Sequence, residues 1–465
     1  MKSLHLLIAT LIIIFLSLKL TAQDTVQVIL KPNMPGLQIP SDFAGLSFEK
    51  YSINAKIFSL QKTSMINYFK TLGIHSLRIG GESVDQDTFS IVEPPYRSGI
   101  LHYTKSELDS FFNFAKKANC KVLMGLNLGG YYNPLLASRE VSYIMQHYAS
   151  EVENFEVGNE PNGFHNSGFR PSTYSINNYE YEYLQYYDSI LHYCPSASLS
   201  GPETSANYTK WTLPFCMNMH SKFSMLTEHY YVSRANIAPI PQQISILLSQ
   251  SKLNSLLTEV KVLVQCAESF SVPFRITESN SFSNSGQWGV SDAFVSSIWA
   301  LDYMYALASV GCAGINFHCG GSCPYTVIAS TSNLLSARPI YYGILAFQVG
   351  SKGRFIPATI TNKNINLNVY SVIDNSKTIF LTIVNKDTLQ NALIQIQIEN
   401  SEYTIANFIT LSSNALTDTI NVKLGGQTVS ADGLCAEYNW QSLNMTANTI
   451  QVNVSAGSAT IIRFK

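Results

Sequence analysis

The 465-residue chain carries a formal net charge of −1, with 30 Lys plus Arg against 31 Asp plus Glu, and 13% of its residues are charged, about half the usual share for a soluble protein. It has no basic surplus with which to grip nucleic acid or another polyanion. Its length exceeds the roughly 100–200 residues of one ordinary domain, leaving room for a large barrel and a smaller partner.

In chain order, the first feature is Lys2 followed by an apolar run over 6–16 and the small residues Thr21 and Ala22, the layout of a secretory signal peptide. Cleavage is expected near Ala22 or Gln23. The run is interrupted at Lys19, short of the roughly 18 apolar residues of a spanning helix. No stable membrane anchor is expected after cleavage, and the protein is expected to be secreted, extracellular or periplasmic. Residues 26–30 alternate apolar and polar and precede everything else, so they are expected to pair with strands from the far end of the chain.

From 42 to 350 short apolar runs alternate with helical patterns, the rhythm of strand-helix units around a parallel sheet. Eight strands are predicted, over 44–48, 76–79, 121–126, 154–157, 197–200, 225–230, 274–277 and 314–317. Met65, Tyr68, Phe69 and Leu72 fall at i, i+3, i+4, i+7, as do Leu108, Phe111, Phe112 and Ala115, so each set predicts one buried helical stripe. Gly73 is placed to cap the first helix, and Thr104 with Glu107 has capping-box spacing at the start of the second. Eight units over this length predict an α/β fold of the (β/α)₈ TIM-barrel type, with its site at the C-terminal ends of the strands. After 350 the helical period gives way to alternating segments over 365–369, 378–385, 393–398, 450–454 and 459–464, which predict a β-sandwich. The accessory domain is therefore expected to be discontinuous, from 23–41 plus 351–465.

Polar residues at the strand ends carry the chemistry. Beyond the fourth strand the chain reads Phe155-Glu-Val-Gly-Asn-Glu-Pro-Asn162, and the seventh strand ends Phe274-Arg-Ile-Thr-Glu278. Glu160 and Glu278 thus converge at the barrel mouth from nearly opposite strands. Glycoside cleavage with retention needs two such carboxyls about 5 to 5.5 Å apart, one protonating the leaving oxygen and the other attacking the anomeric carbon. Glu160 is the expected acid/base and Glu278 the expected nucleophile.

Other features exclude chemistries. The pairs Gly80-Gly81 and Gly129-Gly130 lack the phosphate-loop pattern and read as tight turns. His229 and His318 lie outside any zinc-binding motif and read as satisfied or substrate-facing. No cofactor and no metal are expected. The eight cysteines are too sparse for a disulfide framework; the pair expected to bridge is Cys319 with Cys323, clamping a loop.

The chain resembles glycoside hydrolase family 79, the heparanase and β-glucuronidase family. The resemblance is carried by Leu77-Arg-Ile-Gly-Gly81 with Ser83 and Asp85, Gly125-Leu-Asn127, the segment around Glu160, His229-Tyr-Tyr231, Gly289-Val-Ser-Asp-Ala-Phe294 and Arg338-Pro-Ile-Tyr-Tyr-Gly343. It implies a retaining, exo-acting β-glucuronidase and a glucuronic acid-containing glycan or glycoside as partner. It also implies site roles. Glu49 and Asn159 are expected on sugar hydroxyls, Tyr230 beside the nucleophile, and Gly321 and Tyr325 at the sugar carboxylate, although Cys319-Gly-Gly-Ser-Cys-Pro-Tyr325 departs from the family's loop. Arg78 is read as a structural cation that lowers the nucleophile's pKa. The alternatives are heparanase-like endo-cleavage, a same-clan glycosidase for glucose or xylose, and a non-catalytic carbohydrate-binding protein.

Overall fold

A computed structural model describes residues 25–465 apart from 55–56, 91–100, 332–333, 362–363, 400–402 and 447, so the expected leader lies outside the described residues. Eight strands close into a parallel barrel: β1 (Ala44–Glu49), β2 (Ser76–Gly80), β3 (Lys121–Leu126), β4 (Val152–Val157), β5 (Leu199–Ser205), β6 (Met225–Arg234), β7 (Phe274–Ser283) and β8 (Ile315–Cys319). They follow one another around the ring in chain order, with β8 returning to β1. All eight expected segments coincide with these strands. β2 and β8 are buried along their whole length, because a parallel barrel covers one face with helices and fills the other with side chains.

The helices form where apolar spacing and capping agree. Thr63–Leu72 buries Met65, Tyr68, Phe69 and Leu72 and ends at Gly73, whose φ of 67° is the left-handed cap that glycine accepts without strain. Lys105–Ala118 opens with the Thr104–Glu107 capping box and buries Leu108, Phe111, Phe112 and Ala115.

Beyond the barrel two sheets stack face to face. Thr25–Leu30 lies inside the smaller one, antiparallel to Ala358–Thr361 and parallel to Ala392–Ile398, with Thr449–Val454 at the edge. In the larger sheet Leu367–Ile373, Ile379–Asn385, Ser458–Phe464 and Ala406–Ser412 are neighbours. Ile462 and Phe464 point into the core between the sheets, whereas Ala459 and Ile461 join the barrel's core. Period-two alternation explains how one strand serves both. Helices Val295–Ser309 and Pro339–Gly350 fill that second interface and are buried nearly all round.

The expected Cys319–Cys323 bridge is replaced by another. Cys216, on helix Thr212–Met219, is joined to Cys266, on helix Gln250–Ser269, with Cα atoms 6.6 Å apart. Cys319 and Cys323 are both free thiols. Cys319 ends β8 with its side chain buried and its thiol on the Phe317 carbonyl, so it is aligned along the strand rather than across the following turn. Among the described residues no helix is long and apolar enough to cross a membrane.

Candidate active site

At the end of β4 the backbone turns sharply into the barrel mouth. Gly158 and Glu160 both have positive φ, 79° and 50°, before Pro161 opens a short 3-10 turn. The turn is tied down from below. Asp85 accepts the N–H groups of Leu128 (2.9 Å), Gly129 (2.6 Å) and Asn159 (3.0 Å), and so joins the loops after β2, β3 and β4. Burial nevertheless raises its pKa to about 6. The Glu160 N–H donates to the Glu203 carbonyl at 2.8 Å. Its carboxylate receives the His229 Nδ1 at 3.1 Å and keeps 30% of its surface exposed.

Glu278 is aimed inward by an irregularity in its strand. The β6–β7 register shifts between Ile276 and Glu278, so Thr277 and Glu278, adjacent in sequence, both reach the interior; a bulge re-aims side chains in this way. One Glu278 oxygen accepts Arg78 Nη1 at 2.7 Å and lies 3.6 Å from His318; the other accepts the Tyr231 hydroxyl at 2.8 Å. Burial alone raises a carboxyl pKa, but His318, His229, Arg78 and the Tyr231 hydroxyl together hold that of Glu278 well below its ordinary range. One oxygen each of Glu160 and Glu278 and one nitrogen of His229 lie within 4.8 Å of one another.

Arg78 is the hub beneath this pair. Fully buried, it donates to Glu156 (2.7 Å), Ser47 (3.1 Å), Asn159 (3.0 Å) and Glu203 (3.3 Å) as well as Glu278. A Cβ on Gly80 would fall 2.2 Å from its guanidinium carbon, so only glycine fits at that position. Gly81, at φ 76°, leaves comparable room for the Glu49 carboxyl.

The other expected residues divide. Glu49 is at the mouth but engaged, accepting the Ser83 N–H at 2.9 Å and lying 3.4 Å from His318 Nε2. Asn159 spends its side-chain oxygen on Arg78. Tyr325 is brought near Glu278, its ring 6.0 Å from His318 and 6.3 Å from Tyr231. Gly321 sits in a turn at φ 48°, its carbonyl accepting Ser330 N–H, with open space where a Cβ would stand. Tyr230 requires correction. Its ring lies outside the barrel against Tyr303, and Tyr231 holds Glu278 instead. Alternation along β6 sends Thr227, His229 and Tyr231 inward and Glu228 and Tyr230 outward.

Glu203 was not foreseen. It is fully buried with φ 57° and accepts His229 Nε2 (2.9 Å), Arg78 (3.3 Å) and Thr277 (2.8 Å). With Glu160 on one ring nitrogen and Glu203 on the other, His229 is an imidazolium. Burial and Arg78 oppose that charge, but Glu278, Glu160 and Glu203 raise its pKa to about 10. Glu160, His229 and Glu278 thus set two carboxylates around one imidazole.

The fold, a closed parallel barrel beside a β-sandwich, is shared with solved glycosidases. A 4-O-α-L-rhamnosyl-β-D-glucuronidase from Fusarium oxysporum superposes with a TM-score of 0.78 at 18% identity, covering 93% of this chain and 99% of that one. A family 51 arabinofuranosidase from Xanthomonas axonopodis gives 0.75 at 14% identity, covering 95% and 100%. No family model matches the sequence. Two curated relatives are β-glucuronidases: one from Neurospora crassa, 22% identical over 58% of this chain, and one from Aspergillus niger, 20% identical over 57%. The matched region spans about half the length of each, 55%.

Proposed function

We propose that this protein is a retaining β-glycosidase that removes terminal β-linked glucuronic acid from glycans or glycosides, in the manner of family 79. The observation that carries the reading is the unequal carboxylate pair. Glu278 is gripped and held ionised by Arg78, His318 and Tyr231, as an attacking carboxylate must be. Glu160 has one side-chain partner among the described residues, His229, and is open to solvent, as a group that must take up and release a proton at water must be. An oxygen-to-oxygen separation within 4.8 Å suits double displacement, since inverting enzymes hold their carboxyls about 6.5 to 9.5 Å apart.

In this mechanism Glu160 protonates the glycosidic oxygen while Glu278 attacks the anomeric carbon and the leaving group departs. Glu160 then takes a proton from water as that water displaces the sugar from Glu278. The Asn159 oxygen is committed to Arg78, which leaves its NH2 end to donate to a sugar hydroxyl. Tyr325 and the amide of Gly321 are the groups proposed to read the sugar carboxylate. The β-glucuronidase relatives support this choice of sugar. The same reading gives an export signal over 1–22 and a secreted or periplasmic enzyme.

The test is a panel of aryl β-glycosides (glucuronide, glucoside, xyloside and galactoside) on wild-type and Glu278→Gln protein. Release from the glucuronide by wild type alone is expected. Cleavage of a neutral glycoside with none of the glucuronide would overturn the substrate, and an α anomer seen first by proton NMR would overturn retention.

A further inference from the structure

A second cleft, of about 680 Å³, opens between the loop after β3 and the first turns of helix Ile176–Tyr193, and the mechanism above makes no use of it. Its walls include Tyr132, Arg170, Tyr174, Asn177, Tyr181 and Glu182. Two of the rings face solvent to an unusual degree for tyrosine, Tyr181 at 66% and Tyr132 at 44%. Tyr132 is not loose: its ring packs edge-on against Tyr186 at 5.6 Å, and the Tyr186 hydroxyl is fixed between the Asn127 carbonyl and the Asn133 N–H.

The charges in the cleft cancel internally. Arg170 makes a two-pronged pair with Glu182 at 2.9 and 3.1 Å, and the Tyr174 hydroxyl donates to the same carboxylate at 2.7 Å. The remaining guanidinium donors are spent on the carbonyls of Leu128, Gly129 and Phe169. An anionic ligand would find no unpaired cation among these walls, and a purely apolar one would meet amide and hydroxyl groups. Tyrosine faces with amides beside them match the apolar C–H faces and outward hydroxyls of a neutral sugar ring.

The cleft is also coupled to the catalytic turn. The Leu128 and Gly129 carbonyls hold Arg170, while the N–H groups of the same two residues hold Asp85, which in turn holds the backbone of Asn159 beside Glu160. The backbone of Leu128 and Gly129 therefore links the cleft to the turn that carries the proposed acid/base.

We propose that the Tyr132–Tyr181 cleft is a second carbohydrate site, which takes a neutral sugar unit of the glycan whose terminal residue is cleaved at Glu160 and Glu278. Its ligand class rests on the glycosidase reading above, and the experiment separates the two. Binding of cellotetraose, xylotetraose and β-1,6-galactotetraose to full-length Glu278→Gln protein is measured by calorimetry, with and without Tyr132→Ala/Tyr181→Ala. Hydrolysis of an aryl β-glucuronide is measured with the tyrosine changes in the wild-type background.

At least one tetrasaccharide is expected to bind, and to bind about tenfold or more weakly once both rings are removed. Tyr132→Phe/Tyr181→Phe, which keeps the stacking faces, is expected to bind normally, and aryl glucuronide hydrolysis is expected to stay within about twofold of wild type in both double variants, since that substrate carries no second sugar to place in the cleft. Loss of tetrasaccharide binding in a protein that never cleaves the glucuronide would sustain the cleft and sink the catalytic reading. Failure of all three probes to bind, or binding that ignores the loss of both rings, would overturn the cleft. So would an unchanged affinity accompanied by a shift in sedimentation, which would assign the rings to a protein contact.

Discussion

Tyr231→Phe isolates one contact at the proposed nucleophile. The hydroxyl donates at 2.8 Å to the Glu278 oxygen that faces away from Arg78, and no other described side chain donates to that oxygen. Hydrogen bonds to ionised groups contribute about 1.5–3 kcal/mol, which at about 1.36 kcal/mol per decade corresponds to roughly a 10- to 150-fold fall in kcat/KM on an aryl β-glucuronide. The sign of the pH effect follows from the same bond. A donor favours the ionised carboxylate, so its removal raises the depressed Glu278 pKa and moves the acid limb of the kcat/KM profile to higher pH. Tyr230→Phe is the matched control, because that ring lies outside the barrel beside Tyr303; it is expected to change kcat/KM by less than about twofold. A Tyr231→Phe enzyme with wild-type kinetics, or a Tyr230→Phe enzyme that alone is impaired, would refute the assignment.

Further outcomes follow from neighbouring contacts. Arg78→Met strands Glu156, Glu203 and Glu278 without their shared cation and is expected to cost about 3–5 kcal/mol in a urea melt; Arg78→Lys should recover little, since three donors cannot replace five. His229, with its pKa raised from 6.5 to about 10, adds stability that is complete below pH 6.5 and lost as pH climbs through 10; a His229→Gln protein whose stability fell as steeply over that window would contradict this. Cys216→Ser/Cys266→Ser opens a link spanning 50 residues, for which chain entropy gives about 4 kcal/mol, whereas Cys319→Ser/Cys323→Ser should leave the response to reductant unchanged. Glu160→Ala should retain the first step on a dinitrophenyl glucuronide, whose leaving group needs no proton, and azide should restore turnover; a Glu160→Ala protein equally inactive on all leaving groups, with azide or without, would remove the acid/base assignment.

Much of the fold was legible because hydrophobic period and chain punctuation agree in the barrel. Gly73 and the Thr104–Glu107 box end and start helices where their chemistry requires. Legibility failed where the backbone leaves its period. The fifth strand was expected over 197–200, yet the strand runs on to Ser205 through a register shift between Gly201 and Thr204, and that extension carries Glu203 into the barrel. Tyr231 was within reach of sequence reasoning: His229 faces the site, and alternation places Tyr231, not Tyr230, on the same side. The strand Ala406–Ser412, central to the larger sheet, was missed because polar Asn407, Thr410 and Ser412 interrupt its apolar positions. The Cys216–Cys266 link joins two helices across 50 residues, and connectivity of that kind has no local signature.

The low charged fraction takes on a different meaning once the charges are located. Arg78, Glu156, Glu203, His229 and Glu278 are all buried within one barrel, where ionised groups persist only if paired and hydrogen-bonded. Burial raises the pKa of Glu156 to about 8, against the pull of Arg78. Arg78, His229 and His318 lie against Glu203 and Glu278. Glu160 lies at the edge of that group, its carboxylate meeting it through His229. Protonating Glu278 would leave Arg78 and His318 facing a neutral partner. The division of labour proposed for the two glutamates rests on this difference in burial and pairing, and Glu203 supports it from below through His229 and Arg78.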